Sequence, residues 1–317
     1  YPDVPVVIGG IEASLRRITH YDYWSDTLKP SILFESEADI LVYGMGEKSI
    51  VEIANCYNNS DDISVLRKIN QIAYLTDNKY VGNDDFIELN SHEICLKDKK
   101  SYLANFRIVE TQSNLMFAKT LVQKIGEKYL VINPPYLPYD KNEIDEYYDL
   151  PYKRMPHPKY EKRGLIPAYE MIKFSVNIHR GCFGGCAFCT ISAHQGKFVS
   201  SRSEKSILNE IEKITNMPDF KGYISDLGGP SANMYGMKGI DIEICKKCQR
   251  FSCIYPVICK NLNTDHKPLI NLYNKASKVK GIKKVFIGSG IRYDLFINKN
   301  KDESIRNSYD EYCELLV

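Results

Sequence analysis

The stretch His179 to Lys197, HRGCFGGCAFCTISAHQGK, constrains the chain more than any other. It follows directly on the apolar run KFSVNI (Lys173 to Ile178), which reads as a strand, and it sets three cysteines at C-x3-C-x2-C with no fourth nearby. Thiolates are soft ligands that suit iron-sulfur clusters and zinc. Three thiolates on a [4Fe-4S] cube leave one iron open, as a catalytic zinc keeps an open position and a structural zinc does not. Gly184 and Gly185 let the backbone wrap closely around such a cube, and Gly181 eases the exit from the strand. A structural zinc is the competing reading. It would need a fourth ligand from elsewhere, with His179 and His194 the nearby choices.

Strand and helix alternate after this loop. A helix is expected from about Ser203 to Thr215, then strand GYISDL ending at GGP, a long cysteine-bearing loop, and a helix over Lys267 to Val279. Strand KKVFIGSG and a helix from about Asp302 complete the pattern. Units of this kind build a parallel sheet curling toward a partial (β/α) barrel, with the loops after the strands free for chemistry. A partial barrel leaves a buried-type strand with an unpaired edge, so further strands or a partner surface are expected to cover it. Tyr1 opens the chain without a methionine and Leu315 to Val317 close it inside a helical pattern, so a fragment of a longer chain is expected.

Upstream, VPVVIGG (Val4 to Gly10) with IEASLRRI, and ADILVYGMGE (Ala38 to Glu47) with KSIVEIANCY, are two strand-to-helix steps. They predict an open parallel, Rossmann-like sheet. Their glycines either permit tight turns or form a ligand loop, and neither set matches the full dinucleotide fingerprint. FIELNSHEICL (Phe86 to Leu96) alternates as a strand, KKSYLANFRIVETQSNLMF reads as a helix, and YLVINPPYLPYD closes a strand on a double proline. Asp149 to Glu170 reads as an ordered crossing linker that Pro151, Pro156, Pro158 and Pro167 keep out of helix. A boundary near Tyr169 then separates an N-terminal α/β region with its linker, residues 1–168, from a barrel core, residues 169–317.

A second cysteine group, Cys245, Cys248, Cys253 and Cys259, falls in one loop at C-x2-C-x4-C-x5-C. Four thiols this close suit a second iron-sulfur cluster or a closed zinc site, against the alternative of unligated thiols. His266, just beyond, is either a substitute ligand or a loop histidine. Cys56, Cys95 and Cys313 lie in apolar helix or strand patterns and are expected to be core thiols. Lys and Arg number 42 against 40 Asp and Glu, so the charge balance gives no case for a nucleic-acid-wrapping surface. No apolar run approaches the roughly 20 residues of a spanning helix. With cysteines clustered as for metal, a cytoplasmic protein without a membrane partner is expected.

The motif CFGGCAFC resembles the C-x3-C-x-aromatic-C signature of radical S-adenosylmethionine (SAM) enzymes. The set IGGIEASLRR, EADILVYGMGEKSIVEIA, IHRGCFGGCAFC, SDLGGPSANMYGMKG, SCIYPVIC, DHKPL and GIRYDL is similar, over almost the whole chain, to the YgiQ-type radical SAM family. The resemblance implies that Cys182, Cys186 and Cys189 hold a [4Fe-4S] cluster whose open iron is chelated by SAM. Reduction of the cluster then cleaves SAM to a 5′-deoxyadenosyl radical that takes hydrogen from a substrate. It also implies an external one-electron reductant of the flavodoxin or ferredoxin type, and it names no substrate. Phe188 matches the position that lines the adenine, and Gly228 and Gly229 match a glycine-rich element that meets the methionyl amino group. Pro230 departs from the pattern where an acidic residue often stands, so a backbone carbonyl is the expected contact. Asp226 is either a replacement or a satisfied turn residue. Ser289 and Arg292 either hold ribose or carboxylate oxygens or, for the arginine, form a surface salt bridge.

The N-terminal steps are similar to the later half of cobalamin-binding domains, but the cobalt-ligating histidine of such domains belongs upstream, and cobalamin is not predicted. Three further cluster cysteines, as the methylthiotransferase branch carries, are not reproduced by Cys56 and Cys95. The competing function is an iron-sulfur electron carrier or redox sensor without SAM turnover. A zinc-stabilised RNA-binding module is weakened by the near-neutral charge. The isolated chain is expected to load a cluster and to turn over poorly.

Overall fold

The computed structural model describes residues 4–59, 63–77, 86–297 and 302–316. Its contacts divide the chain into two compact units that interleave in sequence. The first takes Tyr1–Leu137, Gly185–Lys197 and Ile242–Ser252, and the second takes Pro138–Gly184, Phe198–Asp241 and Cys253–Val317. Tyr169, where the composition suggests a boundary, lies inside the second unit.

In the first unit the strands are β1 (Val7–Ile8), β2 (His20–Asp22), β3 (Thr27–Lys29), β4 (Ile40–Val42), β5 (Ile72–Thr76), β6 (Phe86–Leu89), β7 (Thr120–Ile125) and β8 (Lys128–Ile132). Six of them form one sheet in the order β1-β4-β5-β8-β7-β6, and β2 and β3 form a separate hairpin. The expected pair of strand-to-helix steps is present, with β1 and β4 parallel and a helix following each, Gly10–Leu15 and Glu47–Asn59. The sheet is nevertheless mixed rather than parallel. β5 runs antiparallel to both β4 and β8, and β7 and β8 form an antiparallel hairpin across Gly126-Glu127, where Gly126 adopts φ +58°. A two-residue connection with a left-handed glycine reverses the chain directly and leaves no room for a crossover helix.

Alternate residues along these strands enter different cores. Leu41, Tyr43, Ala73, Leu121, Leu130 and Ile132 pack in one core, with Ala13 and Val109 from helices. Ile40, Val42, Ile72, Tyr74, Val122 and Val131 pack in the other, against Ile53 and Leu66. Both faces being covered explains why β4 and β8 read as continuous apolar runs. The expected strand Phe86 to Leu96 ends at Leu89. Ser91 then caps a helix, His92–Lys97, by accepting the Ile94 N–H at 3.3 Å, and a cap of this type overrides the alternation beyond it.

The second unit carries β9 (Ser175–Asn177), β10 (His179–Arg180), β11 (Ser200–Ser201), β12 (Tyr223–Ile224), β13 (Asp226–Gly228) and β14 (Lys284–Val285). β13 pairs with β9 and β12 with β14, all parallel, and the ladder extends through Leu227 N–H to the Phe286 carbonyl at 2.9 Å. Helix Glu204–Thr215, capped by Ser203, buries Ile207, Ile211 and Ile214. Together with Leu269 and Tyr273 of helix Lys267–Ala276 and Tyr312 of helix Glu303–Leu316, they form the core against Val176, Ile224 and Leu227. Pro167 does not exclude helix as expected. It opens the helix Pro167–Ile172, where its missing N–H would have had no partner.

Candidate functional site

The cysteine loop is pinched at its base by β10 and β11, which pair antiparallel with His179 opposite Ser201 and Arg180 opposite Ser200. Gly181 follows at φ +82°. A Cβ there would overlap the Phe198 carbonyl oxygen and stand 2.9 Å from the carbonyl carbon, so only glycine lets the two backbones approach. Cys182 is buried, Cys186 and Cys189 are half-buried, and the Cys189 N–H donates to the Cys186 carbonyl at 3.0 Å. None of the three thiols is in a disulfide. Phe188 is 89% exposed.

In the first unit, Gly185 (φ +62°) lies against the second cysteine segment. A Cβ there would meet Ser252 Cβ at 3.0 Å and the Phe251 carbonyl oxygen at 3.2 Å. Lys197, only 1% exposed, donates from Nζ to the Arg250 carbonyl at 2.7 Å and lies 3.9 Å from Cys248 Sγ. A buried ammonium needs such acceptors, because an uncompensated one is costly. His194 sits 2.9 Å from Ser14 Oγ through Nδ1, which engages that nitrogen inside the protein.

In the second unit, the end of β13 carries Gly228 and Gly229. The Gly228 carbonyl accepts the Ile178 N–H at 2.8 Å. A Cβ on Gly229 would stand 2.5 Å from His179 Cε1 and 2.7 Å from Nδ1, so the glycine seats the imidazole. That imidazole is fully buried with neither ring nitrogen hydrogen-bonded, and burial pushes its pKa down to about 3. Asp226 is satisfied, but as the first residue of β13 rather than in a turn: its carboxylate accepts Gly288 N–H at 2.8 Å, Ser289 N–H at 3.1 Å and Ser289 O–H at 2.5 Å. Ser289 is thereby tied to Asp226. Arg292 forks onto Asp294, Nε at 3.1 Å and Nη2 at 2.6 Å, and its backbone carbonyl accepts from Asn233.

The second cysteine group divides between the units. Cys248 N–H donates to the Cys245 carbonyl at 3.1 Å in the first, and in the second Cys259 N–H donates to the Cys253 carbonyl at 2.7 Å. Cys253 N–H also donates to the Phe183 carbonyl at 3.1 Å, beside the first cysteine motif. Among the described residues, no three His, Cys, Asp or Glu side chains stand together in ion-holding geometry. The donor set still fits a soft metal centre: thiols outside any disulfide, on loops whose glycines permit close approach. His266 is a loop histidine at the N-cap of helix Lys267–Ala276, and an internal one. It is buried, with Nδ1 2.9 Å from the Thr264 carbonyl oxygen and Nε2 3.2 Å from Asn233 Nδ2, among Phe296, Tyr309 and Tyr312. Both nitrogens are engaged. Cys95 is a core thiol and Cys56 is half-buried, whereas Cys313 is exposed because its helix turns Tyr309 and Tyr312 inward instead.

Sequence reasoning gave no role to Ser14 or Lys197. A serine within a helical pattern and a lysine at a loop end carry no periodic signal, and only the fold makes them internal.

The family model for the radical SAM N-terminal region matches residues 1–175. A UPF0313 protein of Bacteroides thetaiotaomicron is 56% identical over 100% of this chain and 53% of its own length. One from Porphyromonas gingivalis is 54% identical over 100% of the chain and 50% of its length. The UPF0313 protein YgiQ of Escherichia coli is 42% identical over 94% of the chain and 48% of its length. The chain thus spans about half the length of the curated relatives it matches. Among the described residues no helix is long and apolar enough to cross a membrane.

Proposed function

From the premise that the chain belongs to the UPF0313 (YgiQ) family of radical SAM proteins, we propose that Cys182, Cys186 and Cys189 hold a [4Fe-4S] cluster with one iron left to SAM. One observation carries the reading: three cysteines outside any disulfide, at C-x3-C-x2-C on a glycine-hinged loop after β9 and β10, with no fourth cysteine in that loop. When bound, this pair of cofactors supplies reductive cleavage of the sulfonium and a 5′-deoxyadenosyl radical for hydrogen abstraction.

The chain's own residues take positioning roles. Phe188, exposed on the loop, is free to lie against an adenine face. The Gly228 carbonyl is already used by Ile178, so the Gly229 carbonyl is the acceptor offered to a methionyl ammonium. Ser289 and Arg292 reach a ligand only by exchanging Asp226 and Asp294 for it, which makes them secondary contacts. The parallel strands β9, β12, β13 and β14 are read as part of a (β/α) barrel, with the cysteine loop after its first strand. Cys245, Cys248, Cys253 and Cys259 are read as ligands of a second cluster or zinc. The electron comes from an external flavodoxin- or ferredoxin-type donor. The whole protein's substrate is not assigned by any residue described.

Metal analysis after anaerobic reconstitution tests this reading. Iron and sulfide at about four per chain, or about eight with a second cluster, support it. Zinc in place of iron at the first motif defeats it.

A further inference from the structure

The glycine turns at Gly9-Gly10 and Gly44 to Gly46 take no part in the function proposed above. They follow β1 and β4, the strand ends at which an α/β sheet of this kind receives a ligand. Here the protein itself fills that position. Ser14 Oγ, fully buried, donates to the Gly10 carbonyl at 2.8 Å, accepts the Gly44 N–H at 2.9 Å, and lies 2.9 Å from His194 Nδ1. A hydroxyl has one proton and two acceptor positions. With the proton given to Gly10, Ser14 Oγ has only an acceptor position left for His194, so Nδ1 carries the proton in this contact.

The backbone is shaped for the same contact. Gly44 has φ +69°, and a Cβ there would stand 3.2 Å from the His194 carbonyl oxygen and 3.3 Å from Gln71 Nε2. His194 belongs to the helix Ile191–Gln195, which starts two residues after Cys189.

We propose that Ser14 and His194 form a latch by which the N-terminal sheet fixes the exit of the cysteine loop, with the Gly10 and Gly44 turns as its seat in place of a dinucleotide or cobalamin site. Both are positioning residues. The inference rests on the reading that Cys182, Cys186 and Cys189 hold a cluster.

The test uses the full chain, reconstituted anaerobically, as wild type, Ser14→Ala, Ser14→Thr and His194→Phe. Iron release to a chelator is timed, SAM affinity is read by titration, and the His194 nitrogens are followed by 15N NMR in the metal-free chain. Ser14→Ala and His194→Phe should load iron but release it about tenfold faster, the factor that loss of one ordinary hydrogen bond gives. SAM affinity should weaken in step. Ser14→Thr should restore both, and the Nδ1–H signature of His194 should be lost in Ser14→Ala alone of the two serine variants. His194 is only half-buried, so His194→Phe keeps the test open where Ser14→Ala does not fold. Iron release at the wild-type rate in either variant overturns the latch alone. A wild type that takes up no iron overturns the cluster reading and the latch with it.

Discussion

Replacing Gly181 by alanine isolates the hinge on which the cysteine loop turns. Two costs add. Its φ of +82° is one that an L-residue adopts at about 1–2 kcal/mol. The new Cβ would also overlap the Phe198 carbonyl oxygen, with the carbonyl carbon at 2.9 Å and Val199 Cα at 3.3 Å, all of them backbone. Backbone leading directly into the paired strand β11 cannot swing aside like the end of a side chain, so the overpacking cost falls at about 3 kcal/mol, the upper part of the usual range. The sum is about 4–5 kcal/mol. Gly126→Ala provides the comparison, since Gly126 has φ +58° and nothing within 4 Å of its Cβ position, and it should lose only about 1–2 kcal/mol. Urea unfolding followed by circular dichroism measures both. Iron uptake by Gly181→Ala should fall as well, because Cys182 is the next residue. Equal destabilisation of the two variants would refute the close approach of Gly181 to Phe198.

Three further outcomes are expected. His179 and His266 have pKa values pushed down to about 3 and about 4 by burial, so below their unfolded values near 6.5 the unfolded chain binds more protons. Stability should be full above about pH 6.5 and fall by up to about 1.4 kcal/mol per pH unit for each histidine as pH drops toward those values, and His179→Phe should remove its share of that slope in metal-free protein. An unchanged slope contradicts the buried neutral imidazole. Arg202 is fully buried, with Nη1 2.5 Å from Glu210 Oε2, Nη2 2.8 Å from Ser206 Oγ and its guanidinium 4.2 Å above the Tyr148 ring. Arg202→Leu should cost about 3–5 kcal/mol in urea unfolding, and a loss under about 1 kcal/mol counts against a buried pair. Trp24, the one tryptophan, is 86% exposed, so native fluorescence should already be that of indole in water and shift little on unfolding; a blue-shifted native emission would contradict its placement.

The strands β1, β4, β13 and β14 were legible because parallel strands of an α/β sheet give short apolar runs that end in glycine, and β9 because its run leads into the cysteine motif. Direction was not. An apolar run covered on both faces looks the same whichever way its neighbour points, so the antiparallel insertion of β5 and β8 depends on the short hairpin at Gly126 rather than on the run itself. Ser91 ended the expected strand because a cap acts at one residue, inside a pattern that otherwise continues. The cysteine motif was legible from spacing alone, whereas the seat of Gly229 on His179 and the engagement of His194 by Ser14 depend on residues 50 and 180 positions apart and leave no local trace.

The proposed cluster differs from an electron carrier's in the one iron that its three cysteines leave open. Electron paramagnetic resonance of the reduced, reconstituted chain, with and without SAM, addresses it directly when wild type is compared with a Cys182/Cys186/Cys189→Ala variant. Wild type should give a cluster signal that SAM perturbs, and the variant should lose about four irons and the SAM-sensitive signal together. A wild-type spectrum that SAM leaves unchanged would contradict the open-iron reading and would make the chain an electron-transfer or metal-stabilised protein.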